Sequence, residues 1–178
     1  MRIIGGKYKG IRFAIPIGLK VRPTTDMAKE SLFNVIENKY DLTSLNILDL
    51  FAGTGGISFE FASRGCNKVT CVEIDNKHIK LILSYIQKLN VTNIVLKRAD
   101  VFRFLKETKE TYDIIFADPP YSFNTIKDLP TLVFEYKCLK QNGVFILEHP
   151  KDMDFSTHPN FSELRVNGSV HFSWFSYK

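Results

Sequence analysis

The chain has 178 residues, within the roughly 100 to 200 of a single domain, so two large domains are excluded. With 44% hydrophobic and 24% charged residues it has ordinary globular composition. No apolar run nears the roughly 18 residues of a membrane helix, and no membrane contact is expected. The net charge of +5 is unevenly spread: residues 1–40 carry eight basic side chains against three acidic ones, and the remainder is balanced. A polyanion-binding arm would show this asymmetry; a merely solvated basic face would show it too.

The opening residues MRIIGGKYKG lack the apolar stretch of a secretory signal, so a cytoplasmic, reducing location is expected. Cys66, Cys71 and Cys138 form no C-x-x-C pair and have no histidine at ligand spacing. They read as buried thiols, and no metal is expected.

In chain order, Arg2-Ile3-Ile4 and Ile11-Arg12-Phe13 flank a Gly- and Lys-rich bend and predict a small hairpin. Pro23-Thr24-Thr25-Asp26 then starts a helix with Ala28, Leu32, Val35 and Ile36 as its buried stripe. From Asn46 onward short apolar runs alternate with helix-period segments, the pattern of a parallel α/β sheet. Strands are predicted over 46–51, 69–73, 93–97, 112–117 and 144–148. The helices between them are predicted over 57–64, from Asp75, from an Asp100 cap to Leu105, and over 125–138. Glu163 to Val166 and Val170 to Phe175 flank Asn167-Gly168 and predict a C-terminal hairpin. The fold expected is a Rossmann-like, mostly parallel sheet ending in an antiparallel hairpin. Residues 1–40 form a basic hairpin-helix extension and 41–178 the main domain.

Two constellations carry chemistry. Asp49-Leu50-Phe51-Ala52-Gly53-Thr54-Gly55-Gly56 leaves a strand and opens a helix, where glycines let the backbone turn sharply and approach a ligand. The dinucleotide pattern G-x-G-x-x-G fails because Ser58 stands at its third glycine, which demotes a nicotinamide cofactor. Glu73 follows Gly53 by 20 residues, at the end of the next strand, the offset at which a carboxylate can accept both ribose hydroxyls. The second constellation, Asp118-Pro119-Pro120-Tyr121, follows the fourth strand. Its prolines stiffen the loop and fix the Asp118 carboxylate and the Pro119 carbonyl as two acceptors suited to an amino group. Tyr121 offers a face for a planar base. His149 at a strand end has no second ligand and reads as structural.

In that order, Asp49 to Gly55, Glu73, Asp100 and Asp118-Pro-Pro-Tyr121 resemble the class I S-adenosylmethionine-dependent methyltransferases that act on exocyclic amines. Three blocks narrow the resemblance: Arg2-Ile3-Ile4-Gly5-Gly6-x-Tyr8-Lys9-Gly10, Arg22-Pro23-Thr24-x-Asp26-x-x-Lys29-Glu30-x-Leu32-Phe33-Asn34 and Asn46 to Gly55. Together they look like the RsmD family, which methylates the N2 amine of one guanine in bacterial small-subunit (16S) ribosomal RNA. Lys29 stands where that family often has arginine, and the tail after Pro150 matches weakly.

The resemblance implies that Gly53, Thr54 and Gly55 pass under the methionine part of S-adenosylmethionine and that Asp49 approaches its ammonium. It implies further that Glu73 holds the ribose, Asp100 the adenine amine, and Ile74 and Val101 the faces of the adenine. Asp118, Pro119 and Tyr121 would hold the target base. Arg2, Lys7, Lys9, Arg12, Arg22 and Lys29 would meet phosphates of ribosomal RNA, within a small-subunit particle or assembly intermediate, with the enzyme a monomer. The competing readings are a DNA adenine-N6 methyltransferase and a catalytically inactive RNA-binding assembly factor.

Overall fold

A computed structural model describes residues 1–16, 25–120 and 125–178. Helix α1 (Asp26–Lys39) precedes an alternation of β1 (Asn46–Leu50), α2 (Gly56–Ser63), β2 (Lys68–Glu73), α3 (Asn76–Leu89), β3 (Ile94–Arg98), α4 (Val101–Glu107) and β4 (Tyr112–Ala117). Helix α5 (Leu129–Glu135), β5 (Leu139–His149) and the hairpin β6 (Phe161–Asn167) and β7 (Val170–Phe175) complete it. The strands form one sheet in the order β3-β2-β1-β4-β5-β7-β6. β1 to β5 run parallel, and β7 enters antiparallel between β5 and β6.

Period-two alternation along the strands divides the core in two. Ile47, Val69, Ile114, Phe116 and Ile146 face α1, α2 and α3, whereas Leu48, Val72, Ile115 and Leu147 face α4 and α5. Both faces are covered, which is why these strands read as nearly continuous apolar runs. Side chains cap three of the helices' first turns: Thr25 accepts from the Ala28 N–H, Asp75 from Lys77 and His78, and Asp100 from Arg103. At α2 the cap is Gly55 in the left-handed region instead, φ +82°, with no side-chain bond.

Two elements differ from the sequence reading. The helix expected over 125–138 is a 3-10 turn at Ile126–Asp128 followed by α5. Pro130 lacks an N–H and is tolerated only in a first turn, so the helix begins beside it. β5 starts at Leu139, earlier than 144, because Leu139 pairs with Tyr112 across a register shift before the main ladder resumes at Val144.

The expected N-terminal hairpin is short: Arg2 and Arg12 form an antiparallel bridge, with the Ile3 N–H donating to the Ile11 carbonyl and the Phe13 N–H to the Met1 carbonyl at 2.9 Å each, and its loop is also fastened to α2. The N–H groups of Ile4 and Gly5 donate to the Glu60 carboxylate at 2.9 and 2.8 Å, and those of Lys7 and Tyr8 to Ser63 at 2.7 and 2.9 Å. Gly6 holds φ +72° there, and a Cβ on it would lie 1.9 Å from the Ser63 carbonyl oxygen, so the approach requires glycine. Ile3 and Phe13 share one apolar cluster with α1 and the sheet, so the described N-terminal loop and α1 pack into the main core.

Lys29, expected among the phosphate contacts, is 3% exposed beneath this loop. Its ammonium lies 3.1 Å from Glu60 Oε2 and donates to the Arg2 carbonyl. An ammonium so committed is a structural cation and corrects the expectation of an RNA contact. Phe172 and Trp174, two apart on β7 and so on one strand face, are both buried on the α1 side. All three cysteines are free and buried. Among the described residues no helix is long and apolar enough to cross a membrane, and no cluster of side chains could hold a metal ion.

Candidate active site

The carboxyl edge of the parallel strands opens into a cavity of about 820 Å³. Such an edge is where open α/β sheets bind ligands. Each of the five parallel strands brings at least one carboxylate to it: Asp49 from β1, Glu73 from β2 with Asp75 just after it, Asp100 after β3, Asp118 after β4 and Glu148 from β5. The only basic side chains in the described wall are His78 and the ion-paired Lys29. The cavity therefore favours a ligand carrying positive charge.

Asp49 is buried, and its carboxylate accepts a 2.5 Å hydrogen bond from the Ser58 hydroxyl. Burial pushes its carboxyl up to about 7, the negative charges of Asp118 and Glu73 push the same way, and the Ser58 bond opposes them. Ser58 thus explains the broken glycine fingerprint: the third glycine position is used for a hydroxyl that satisfies a buried acid. Cys71, the register partner of Asp49 on β2, has its thiol pushed well up by burial and is not a nucleophile.

The glycine turn after β1 is tied to the next strand. The Gly53 N–H donates to Glu73 Oε2 at 2.7 Å, and the Ile74 and Asp75 N–H groups donate to its other oxygen at 2.7 and 2.8 Å. These bonds fix the carboxylate and leave it further lone pairs for ribose hydroxyls. Gly53 and Thr54 line the cavity; Gly55 does not, since a Cβ there would meet Phe59 and Ile82 in the core at 3.1 and 3.2 Å. Gly55 shapes the turn. Ile74 lies on the cavity wall with 61% of its surface exposed, opposite in kind to buried Val101, and Asp100 combines its capping bond to Arg103 with a place on that wall.

Asp118, Pro119 and Pro120 line the same cavity. Tyr121 and Arg22 lie outside the described residues. Arg2, Lys7, Lys9 and Arg12 are exposed on the N-terminal loop away from the cavity wall, Arg2 with its guanidinium 3.0 Å from Asp26. Sequence reasoning missed His78. His78 lines the cavity with Nδ1 3.7 Å from Glu73. The available signal is its place in the first turn of the helix that follows the ribose acid. His149 is buried, between the Pro150 carbonyl and the Ser173 hydroxyl, with its pKa lowered by burial, a structural imidazole.

The strand order, the glycine turn after β1 and the acid closing β2 define a class I methyltransferase fold. The family model described as conserved hypothetical protein 95 matches residues 1–175, and the chain belongs to that family, the RsmD family. It is 35% identical to ribosomal RNA small subunit methyltransferase D of Buchnera aphidicola over 161 residues, 90% of this chain and 82% of the relative. It is 38% identical to YlbH of Bacillus subtilis, which carries a provisional rRNA methyltransferase name, over 86% of this chain and 85% of that one. A solved structure from Escherichia coli, provisionally named methyltransferase yhhF, superposes with a TM-score of 0.85 at 25% identity, covering 100% of this chain and 99% of that one.

S-adenosylmethionine is the cofactor of this class. The donor set fits it: a net-cationic sulfonium and ammonium ligand meets a carboxylate-lined cavity whose most buried acid, Asp49, has no cationic partner to hold its pKa down.

Proposed function

We propose that the protein transfers a methyl group from S-adenosylmethionine to the exocyclic N2 amine of a guanine in small-subunit ribosomal RNA. The observation that carries this reading is the convergence of Asp118, Pro119 and Pro120 with Asp49, Gly53 and Glu73 on one cavity. The names of the relatives, ribosomal RNA small subunit methyltransferase D among them, support RNA as the acceptor.

Gly53, Thr54 and Asp49 would hold the methionine part of the cofactor, Glu73 the ribose, and Asp100, Ile74 and Val101 the adenine. The cofactor, when bound, supplies an electrophilic sulfonium methyl. The work of the chain is at the acceptor. A guanine N2 lone pair is delocalised into the ring and is a poor nucleophile. Hydrogen bonds donated by N2 to the Asp118 carboxylate and the Pro119 carbonyl favour a pyramidal nitrogen and aim its lone pair into the cavity. No covalent enzyme intermediate is required. A guanine reaches such a cavity only when it leaves its stack, so the target lies in a loop or a partly melted segment. Tyr121 would stack on it, and Arg2, Lys7, Lys9, Arg12 and Arg22 would meet the backbone.

The test is incubation with radiolabelled S-adenosylmethionine and small subunits from cells lacking the activity, followed by nucleoside mass spectrometry. N2-methylguanosine is expected. Label as methyladenine, or in DNA, overturns the acceptor, and cofactor binding without label overturns the reaction. Asp118→Ala should abolish transfer while leaving cofactor affinity within about twofold, because the loss falls on a contact made in the transition state.

A further inference from the structure

The stripe of α3 that packs on the sheet consists of Leu81, Ile82 and Tyr85, all buried. His78 continues it one turn earlier, since 78, 81, 82 and 85 stand at i, i+3, i+4 and i+7. Side chains lean toward the N-terminus of their helix, and α3 begins at the carboxyl edge of the sheet, just after Glu73 closes β2. The imidazole is thereby carried past the strand ends onto the wall of the large cavity, beside Ile74 and Asp75. It brings ring nitrogens to a position that packing alone would fill with an apolar side chain. The side chain keeps 18% of its surface exposed, so a ligand in the cavity can reach the ring.

What the ring faces is the Glu73 carboxylate. Nδ1 lies 3.7 Å from Oε2, beyond the reach of a direct N–H···O bond, and the same Oε2 accepts from the Gly53 N–H at 2.7 Å. A hydroxyl oxygen about 2.8 Å from each atom spans such a separation. The two groups are complementary toward a hydroxyl. An ionised carboxylate only accepts, an imidazole can carry its proton on Nδ1 and donate, and a hydroxyl does both. Glu73 alone would take the proton of a ribose hydroxyl and leave that oxygen's lone pairs without a donor. We propose that His78 is a second ribose contact for the cofactor, one ribose hydroxyl donating to Glu73 Oε2 while accepting the His78 Nδ1–H. This inference rests on the placement of the ribose at Glu73. It gives the chain a preference for a ribonucleoside cofactor over a deoxy counterpart that a carboxylate supplies only in part.

The test is calorimetric titration of the full chain at pH 8, above the range in which Asp49 titrates, with S-adenosylhomocysteine and its 2′-deoxy and 3′-deoxy analogues. His78→Phe keeps a flat ring and removes the N–H, whereas His78→Asn returns a donor close to the position of Nδ1. His78→Phe should weaken S-adenosylhomocysteine about three- to tenfold, the span of one neutral hydrogen bond, and His78→Asn should recover most of that loss. For the analogue that lacks the bridging hydroxyl, wild type and His78→Phe should bind alike, while the other analogue should keep the full difference. Unchanged affinity for S-adenosylhomocysteine in a His78→Phe variant that melts as a folded protein overturns the proposal. So does a loss of the same size for all three ligands, which is what displaced packing would give. In both cases a wild type that prefers S-adenosylhomocysteine to the analogues leaves the ribose at Glu73. Equal affinity of the wild type for all three removes the ribose from Glu73, and the proposal falls with that placement.

Discussion

Asp49 shows how a single residue can couple charge, stability and ligand choice. Its carboxyl ionises near 3.8 in an unfolded chain and at about 7 in the folded one. Between those values the native state binds the extra proton, so this group's contribution to stability falls as pH rises from about 4 to about 7 and is flat above. Asp49→Asn keeps an acceptor for Ser58 and should remove that decline, giving a variant that melts higher than wild type at pH 8. A cationic ligand restores the ionised form, so cofactor binding at pH 6 should release a proton, and affinity should climb with pH until about 7. Calorimetry in buffers of different ionisation enthalpy measures this directly. The variant should bind at least about tenfold more weakly and without the pH dependence, the loss expected of one charge-assisted contact. Equal affinity and pH profile in both proteins would separate Asp49 from the cofactor.

At the scale of elements, the N-terminal loop, α1 and α2 meet at one carboxylate. Glu60 is fully buried and takes Lys29, Arg64 and two backbone N–H groups of the loop. Removing one member of such a set strands the others, so Lys29→Met should lower unfolding free energy by roughly 3 to 5 kcal/mol, read by urea titration. It should leave the salt dependence of RNA binding unchanged, the opposite of what a phosphate contact would give. The misreading of Lys29 is instructive. Counting charge along the chain treats every lysine as solvated, yet positions 29, 32, 33 and 36 are the buried stripe of α1, at i, i+3, i+4 and i+7. The periodicity pointed inward; the partner that makes burial tolerable lies on α2 and is invisible locally. Most strands and caps were legible because two covered sheet faces and capping acids leave strong local signals. The early start of β5 was not, since it depends on Tyr112, distant in sequence; the break before α5 and the place of His78 had local signals, Pro130 and the first helical turn after Glu73, that periodicity alone does not read.

At the scale of the molecule, the positive charge that remains free for RNA is narrower than the count over residues 1–40. Among the described residues Lys29 is internal, Arg2 faces Asp26 and Lys39 is bonded to Glu163, which leaves Lys7, Lys9 and Arg12 exposed together on the loop fastened to α2. Replacing these three with alanine should weaken RNA binding and reduce the salt slope by up to about 2 to 3, at roughly 0.7 to 0.9 per phosphate lost. A slope that does not move would remove the loop from the interface. The sheet order carries one more consequence, for assembly of the chain itself. β1 is an interior strand, yet one of its edges is closed by β4, with Ile47 facing Ile114 and Asn46 bonded to Asp113 across 67 positions. At synthesis rates of about 5 to 20 residues per second, that edge waits roughly 3 to 13 seconds for its partner. During that interval β1 can pair only on its β2 side. The nascent protein therefore passes through a half-built sheet with an open apolar edge, and the time spent there is set by the pace of translation.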